Sequence, residues 1–290
     1  MADMSKNRTM AILNAARDGG YAVPAICCYN LEAVLATIRA AEAMRSPAMV
    51  LLFPWAIEYA GKALVLAAAE AAHTASVPVS LHLDHAQSPD LVRRAADIPA
   101  PYNFDSIMCD MSHYEKEENL KLTRELSDYC HARGIASEAE PGRIEGGEDG
   151  IASTDAEELE GVLTTAEQAL EFVATGIELL APAIGNVHGE YGPAGINLDY
   201  ERLQMVNRTV GDKVRLVLHG ADPFNLEIFT RCIKAGVTKI NINKGVNKHY
   251  ARVQEEMRGK PLTKVIEAGT DAMQKAVEEY MQWFGSAGKV

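Results

Sequence analysis

Residues 79–87 read V-S-L-H-L-D-H-A-Q, an apolar run that ends in an aspartate between two histidines. A run rich in Val and Leu is typical of a buried strand in a parallel sheet. Side chains alternate along a strand, so Ser80, His82 and Asp84 would share one face, while His85 lies where the strand gives way to a loop. Parallel α/β proteins carry their chemistry at the carboxyl ends of strands, so this stretch predicts a fold class and the position of a site.

Around this stretch, short apolar runs alternate with helix-period segments in eight rounds. The predicted strands are Ala22–Tyr29, Ala48–Phe53, Val77–Asp84, Ser106–Cys109, Ile135–Glu140, Ile177–Ile184, Val214–Leu218 and Thr238–Ile242. The helices predicted after the first seven strands are Leu31–Arg45, Gly61–Ala75, Pro89–Asp97, Glu117–Arg133, Thr165–Thr175, Tyr200–Val210 and Leu226–Ala235. Eight such units predict an α/β fold, a single (β/α)8 (TIM) barrel domain over residues 1–290, with a doubly wound sheet as the alternative. Residues from about 261 to 286 predict extra C-terminal helices, which would pack on the barrel or on a second subunit.

Composition narrows the classes of function. The chain of 290 residues has a net charge of -12, which argues against a nucleic-acid surface or an anionic membrane as partner. The five cysteines form no C-x-x-C pair, and we expect them to be reduced core residues of a cytoplasmic protein. The sequence has no apolar stretch of about 20 residues, so we expect a soluble protein without a membrane span.

Three histidines follow predicted strands: His85 after strand 3, His188 in the loop after strand 6 and His219 at the end of strand 7. In a barrel these strand ends meet at one mouth, and three imidazoles can hold a catalytic zinc. Taken singly, each could instead be a hydrogen-bonded residue at a strand end. We expect His82 to point inward behind the site and His113 to lie in a loop near the mouth. The histidines expected on helix surfaces are His73, His131 and His249.

The carboxylates sort in the same way. Asp84 and Asp110 end strands 3 and 4, and Glu138 and Glu140 share one side of strand 5. A carboxylate that points into the top of a barrel can ligate a metal, move a proton or accept a hydrogen bond from a substrate hydroxyl. For Glu138, a structural hydrogen bond inside the barrel is an equally good interpretation.

Two predicted connections, residues 141–164 and 185–199, are too long for simple turns, and such loops are usually functional or mobile. The first contains P-G-R-I-E-G-G-E-D-G, whose glycines would let it close over a substrate with Glu148. An acidic loop that is merely solvated is the alternative.

Residues 218–220 and 241–245 follow strands 7 and 8, where barrels often bind phosphate through loops and a helix N-terminus. Lys244 adds a positive charge at this point. A Schiff-base lysine is the alternative role, although a three-histidine metal site would make it redundant.

The order of these motifs resembles the metal-dependent (class II) fructose-bisphosphate and tagatose-bisphosphate aldolases. The matching segments, from about residue 21 to residue 243, are V-P-V-S-L-H-L-D-H, I-M-C-D-M-S-H-Y-E-K-E-E-N, S-E-A-E-P-G-R-I-E-G-G-E-D-G, I-G-N-V-H-G-E-Y, L-V-L-H-G and K-I-N-I-N. The resemblance implies a homodimer or homotetramer. It also implies reversible retro-aldol cleavage of a ketose (bis)phosphate, such as fructose 1,6-bisphosphate, through a metal-stabilised enediolate.

The resemblance also implies a set of site residues. Zinc would be held by His85, His188 and His219, with Glu140 near the metal or ligating it in some states, and a monovalent cation could serve as activator. Asp110 would stand behind the ligands or act as an alternate one.

Two carboxylates would move protons by the same resemblance: Asp84 at the aldehyde oxygen and Glu148 at the enolising carbon. The residues expected to contact the small phosphorylated sugar are Gly189, Gly220, Ala221, Asn241, Asn243 and Lys244.

The sequence departs from the family at the substrate loops. The phosphate loop, usually H-G-G-S-G, reads H-G-A-D-P at residues 219–223, and the N-x-[DN]-T motif after strand 8 ends in Lys244. Cys27 stands where the family has an asparagine facing the sugar, and strand 2 ends in L-F-P. Either Lys244 takes over phosphate binding, or Asp222 and Lys244 neutralise each other and the pocket accepts an unphosphorylated end.

Two other classes of function remain at this stage. One is another metal-dependent barrel enzyme, such as a hydrolase that uses a zinc-bound water. The other is a non-catalytic barrel that binds metal.

Overall fold

Eight parallel strands close into a barrel in which each strand pairs with the next along the chain and the last pairs with the first. The computed structural model describes residues 4–144, 163–193 and 195–290. The strands are β1 Val23–Cys27, β2 Ala48–Leu52, β3 Val79–Ala86, β4 Ser106–Cys109, β5 Ala136–Ala139, β6 Leu179–Leu180, β7 Arg215–Leu218 and β8 Val237–Ile242. The predicted (β/α)8 barrel is confirmed, and the doubly wound alternative is wrong because the sheet has no edges.

Helices surround the barrel in the order that the sequence predicts, with one addition. They are α1 Arg8–Gly19, α2 Leu31–Met44, α3 Pro54–Thr74, α4 Pro89–Ala96, α5 Lys116–His131, α6 Ala166–Val173, α7 Tyr200–Val210, α8 Leu226–Lys234, α9 Lys244–Glu256 and α10 Leu262–Trp283, after a 3-10 helix Met4–Lys6. Helix α1 was not predicted. Helix α3 begins before the predicted residue and is interrupted at Gly61, whose φ is 63°.

Apolar side chains fill two separate layers. Outward-facing strand residues such as Leu81 and Leu83 pack under the helices, as the alternation in β3 predicts. Inside the barrel, Met49 and Leu51 belong to a second buried cluster that also includes Leu13 of α1. Helix α1 therefore closes the amino-terminal end of the barrel, which leaves only the carboxyl end for chemistry.

The C-terminal helices pack on the barrel. Helix α10 lies against α2 and α9, and the carbonyl of Phe284 accepts a hydrogen bond of 3.1 Å from Ala22 N–H. Met281 and Phe284 are buried within the chain, so they do not form the apolar surface for a second subunit that the sequence allowed. Within the part of the chain that the structure describes, no helix is long and apolar enough to cross a membrane.

The cysteines are buried as predicted, whereas two histidines are more buried than predicted. The five cysteines are buried and form no disulfide, as expected. The surface position expected for His131 is wrong because the residue is buried, whereas His73 is half-buried, with its side chain 13% exposed. His131 is 6% exposed and its Nε2 lies 2.9 Å from Glu178 Oε1, while His73 Nε2 lies 2.9 Å from Asp105 Oδ2.

Candidate active site

Three buried histidine rings converge at the carboxyl ends of β3, β6 and β7. The centroid of the His85 ring lies 5.0 Å from that of His188 and 4.9 Å from that of His219. The three residues each have one ring nitrogen that lies within 4.8 Å of a ring nitrogen of the other two. His85 belongs to β3 and not to the loop after it, at a point where the register with β4 shifts. Its φ is 47°, a left-handed conformation that costs free energy in a non-glycine residue and persists only where the surrounding structure holds it. This local distortion aims the His85 ring at the other two.

Carboxylates orient two of these rings from behind. Asp110 Oδ2 lies 2.9 Å from His85 Nδ1, and Glu138 Oε1 lies 3.0 Å from His219 Nε2. The opposite nitrogens, His85 Nε2 and His219 Nδ1, are buried and have no hydrogen-bond partner among the described residues. Buried polar atoms are rarely left in this state, and a carboxylate behind an imidazole is the usual arrangement around a bound metal. The donor set therefore fits a divalent cation.

Glu140 lies beside the same three rings, at the end of β5. Its Oε1 accepts a hydrogen bond of 2.5 Å from Ile144 N–H, and its buried Oε2 lies 3.9 Å from His219 Nδ1 with no hydrogen-bond partner in the described part. Burial and the nearby charge of Asp110 raise the pKa of Glu140 well above its usual range. Glu140 is thus next to the position that a cation would take, whereas Asp110 is held behind His85.

The buried carboxylates around the three histidines favour the binding of a positive charge at this site. Burial disfavours the cationic form of His85, but Asp84 and Asp110 outweigh that effect and raise its pKa to about 10. Burial and the neighbouring His85 and His219 lower the pKa of His188 well below its usual range. A metal ion could satisfy the carboxylates without protonating any ring.

Asp84 lies inside the barrel between the histidines and β8. Its Oδ2 accepts a hydrogen bond of 2.8 Å from Asn241 Nδ2, and its buried Oδ1 lies 3.5 Å from His82 Nε2. Burial opposes ionisation, but the positive charges of Lys239 and His85 lower the pKa of Asp84 well below its usual range. Asp84 is therefore a fixed carboxylate at the mouth.

A second cluster with metal-ligand chemistry, formed by His82, Asp84 and Glu138, already contains a lysine side chain. The fully buried Lys239 places its Nζ 2.7 Å from Glu138 Oε2 and 3.5 Å from His82 Nε2. This ammonium occupies the position that a second cation would need. His82 lies behind the site as predicted, and Glu138 has the structural role that the sequence left open.

Sequence reasoning missed two features of this site. Lys239 is one, although the alternation in T-K-I-N-I places it on the same inward face as Asn241. The other is an aromatic wall: Phe53 stacks on His85 with ring centroids 5.7 Å apart, and Trp55 stacks on Phe53 at 4.5 Å.

The predicted substrate residues lie around the same mouth. Gly189 and Gly220 have φ values of 90° and 65°, and a Cβ on Gly220 would meet Val187 O at 2.3 Å. Ala221, Asn241 and Asn243 are buried, whereas Lys244 is exposed. Glu148 lies outside the described residues, so its role stays a prediction.

A closed parallel barrel with three convergent histidines at its carboxyl-end mouth, two of them hydrogen-bonded to carboxylates, defines a class: metal-dependent (β/α)8 enzymes. Comparison with known proteins identifies the family. Residues 7–289 match the family model of class II fructose-bisphosphate aldolases, so the chain belongs to that family. It is an aldolase-type enzyme, a carbon–carbon lyase.

Several relatives are similar over almost their whole length. A provisionally named fructose-bisphosphate aldolase of Coccidioides immitis is 60% identical over 99% of this chain and 96% of its own. A fructose-bisphosphate aldolase of Streptococcus pneumoniae is 37% identical over 96% of this chain and 97% of its own.

Solved structures agree with the fold. A crystal structure of the Coccidioides immitis protein has a TM-score of 0.94 at 60% identity and covers 98% of both chains. The YdjI aldolase of Escherichia coli K12 has a TM-score of 0.81 at 28% identity, covering 96% of this chain and 97% of its own.

Proposed function

We propose that this protein is a zinc-dependent aldolase that reversibly cleaves a phosphorylated ketose into a dihydroxyacetone-type unit and an aldehyde. The observation that carries the proposal is the set of three convergent histidines, two of which have a carboxylate on one ring nitrogen and a buried, unsatisfied nitrogen on the other. The names of the relatives support a sugar phosphate as the substrate class.

In this proposal, one set of residues binds the metal ion and a second set orients the metal ligands. His85, His188 and His219 would hold the cation, with Glu140 beside it. When bound, the cation supplies Lewis-acid polarisation of the substrate carbonyl, an effect worth several kcal/mol. Asp110 and Glu138 would keep the His85 and His219 rings in the orientation and tautomer that ligation requires.

Carboxylates that do not bind the metal ion would transfer the protons. Asp84 is ionised and held by Asn241, so it can take the proton from the hydroxyl that becomes the aldehyde oxygen. The predicted base at the enolising carbon is Glu148, which must reach the site when the substrate is bound.

The decisive experiment is a retro-aldol assay of the zinc-loaded protein on ketose phosphates, with zinc stoichiometry measured in parallel. We expect His188→Ala to lose both stoichiometric zinc and cleavage. His113→Ala, which changes an exposed histidine, should retain both. Full zinc occupancy in His188→Ala would refute the metal assignment. Zinc-dependent ester hydrolysis without carbon–carbon cleavage would indicate a hydrolase, and zinc binding without turnover would indicate a non-catalytic barrel.

A further inference from the structure

The loop after β7 places a carboxylate on the N-terminus of α9. Asp222 Oδ1 accepts hydrogen bonds of 2.9 Å from both Asn243 N–H and Gly245 N–H, and Oδ2 accepts one of 3.0 Å from Lys244 N–H. Three backbone donors at the start of this 13-residue helix are thereby satisfied by one side chain. The cap residue of the helix, Asn243, makes no side-chain capping bond of its own, so Asp222 supplies the cap from another loop.

The same donors are the ones that a phosphate would need. Backbone N–H groups and the helix dipole make such an N-terminus a binding site for one anion, and in barrels the loops after strands 7 and 8 are where phosphate is bound. Here the anion is part of the chain. A phosphate at this position would have to displace the Asp222 carboxylate and then remain beside its negative charge.

The loop that carries Asp222 is held firmly. Tyr191 donates a hydrogen bond of 3.0 Å from its hydroxyl to Gly220 O, and Gly220 has no room for a side chain against Val187 O. Ala221 is 1% exposed. The carboxylate is therefore positioned by the fold on both sides.

Lys244 does not offset this charge with its side chain. That side chain is exposed, and the described ion pairs include none between Lys244 and Asp222. What Lys244 gives to Asp222 is its backbone N–H. The ion pair between the side chains of Lys244 and Asp222 that the sequence allowed is not found, whereas phosphate binding by the Lys244 side chain stays a prediction.

The capped N-terminus lies close to the metal site. Asp222 follows His219 by three residues, a chain reach of at most about 11 Å. Asn243 follows Asn241 by two residues, and Asn241 Nδ2 lies 3.4 Å from His219 Nε2 and 2.8 Å from Asp84 Oδ2. A ketose whose carbonyl faces the three histidines and whose C1 end is turned towards β7 and β8 would bring the substituent on C1, which is bonded to the carbonyl carbon, to this position.

We propose that Asp222 is a specificity-determining residue that occupies the place of a phosphate, so that the protein cleaves ketoses whose first carbon bears a free hydroxyl and releases dihydroxyacetone. The proposal rests on the proposed aldolase function and specifies which end of the ketose carries no phosphate. A phosphate at the opposite end of the sugar is unaffected. The carbon–carbon bond between C3 and C4 breaks, the C4 hydroxyl gives up its proton and becomes the aldehyde, and C3 takes up a proton, so no co-reactant is needed.

The test uses the zinc-loaded full chain and two donors that differ only in phosphate, dihydroxyacetone and dihydroxyacetone phosphate. Binding is measured by calorimetry, and solvent exchange of the donor C–H proton is followed by NMR in heavy water, so neither readout depends on the aldehyde. We expect the parent to have at least a tenfold higher kcat/KM for exchange with dihydroxyacetone. Asp222→Ser should bind dihydroxyacetone phosphate at least tenfold more tightly than the parent does, with less than a threefold change for dihydroxyacetone.

Controls separate the charge from the fold. Asp222→Asn removes the charge but keeps an acceptor for the helix, and it should also gain phosphate-donor binding. Asp199→Asn removes a carboxylate that caps α7 through Arg202 N–H, and it should leave the donor preference unchanged. Far-UV circular dichroism checks that each variant is folded.

The outcomes also distinguish this inference from the proposed function. Efficient cleavage of fructose 1,6-bisphosphate by the parent would overturn the role of Asp222 while supporting the aldolase function. Equal binding of dihydroxyacetone phosphate by the parent and both Asp222 variants, or no binding by any of them, would overturn it as well. A parent that neither exchanges nor cleaves any ketose would count against the aldolase function, while a binding gain in the variants would still support the role of Asp222.

Discussion

At the scale of single residues, the residues at the mouth of the barrel that would hold a metal ion differ from those that would transfer protons. Asp84 touches Asn241 and faces His82, whereas Asp110 touches a ring nitrogen of His85. Two carboxylates at neighbouring strand ends therefore have different expected effects when neutralised.

We expect Asp84→Asn to keep zinc and to lower kcat by about 10²–10⁴-fold, because the amide has nearly the same shape but cannot accept and return a proton. Asp110→Asn is the matched variant. It should weaken zinc binding by roughly 10–100-fold through loss of the ring-orienting contact. Zinc titration and steady-state kinetics on both proteins check the pair. An Asp84→Asn protein with close to the parent kcat would show that Asp84 is structural.

The sequence predicts the histidines well because strand ends in a barrel converge whatever the details of register. It does not predict which atoms meet across the barrel. The contact between Lys239 and Glu138 joins strands that are not neighbours, so it depends on the stagger of the whole barrel. The hydrogen bonds from Asn243 to Asp222 likewise depend on two loops that periodicity does not describe.

At the scale of elements, buried side-chain pairs fasten helices to strands at the amino-terminal side of the barrel. His73, in the last turn of α3, lies 2.9 Å from Asp105, whose Oδ2 also accepts a hydrogen bond from Leu81 N–H of β3. The hydrogen bond with Asp105 raises the pKa of His73 despite its partial burial. Folding therefore favours the protonated ring.

The contact between His73 and Asp105 stabilises the folded protein more when the ring is protonated. The stabilisation is fully present below the unfolded pKa of about 6.5 and is lost as pH rises through the higher folded pKa. We expect the difference in free energy of unfolding between the parent and His73→Gln to shrink by on the order of 1 kcal/mol as the pH is raised from 6 to 9. Urea unfolding across that range measures it. A difference for His73→Gln that does not change with pH would mean that the ring is neutral in the folded protein.

Element boundaries show where local patterns are insufficient. Helix α1 is held by contacts far away in the chain, such as Asn7 Nδ2 with Asp105 O at 2.7 Å and with Gly134 O at 2.9 Å. Strand β6 has only two paired residues, although apolar residues run from Ile177 to Ile184, because a strand ends where its neighbours stop pairing. Both outcomes are set by tertiary contacts.

At the scale of the whole molecule, the barrel divides into an apolar half closed by α1 and a polar half that holds the charged site. The candidate ligands His85 and His219 are held by Asp110 and Glu138, and Glu138 by Lys239. These contacts join side chains of the protein itself, so the orientation of the site is set by the fold. Metal binding should therefore add to the stability of a folded protein and should not be required for folding.

This arrangement predicts the response to metal removal. A ligand that binds only the folded state stabilises it by about 2.7 kcal/mol at a free concentration 100 times Kd. For a domain of this size, that corresponds to a rise in Tm of roughly 4–5 °C. We expect differential scanning calorimetry to show this rise when zinc is added to chelator-treated protein, with unchanged far-UV circular dichroism. His85→Ala should remain folded and lose the increment, whereas His113→Ala should keep it. Unfolding of the parent on chelation, or an equal zinc increment in His85→Ala, would mean that the three histidines are not a preformed metal site.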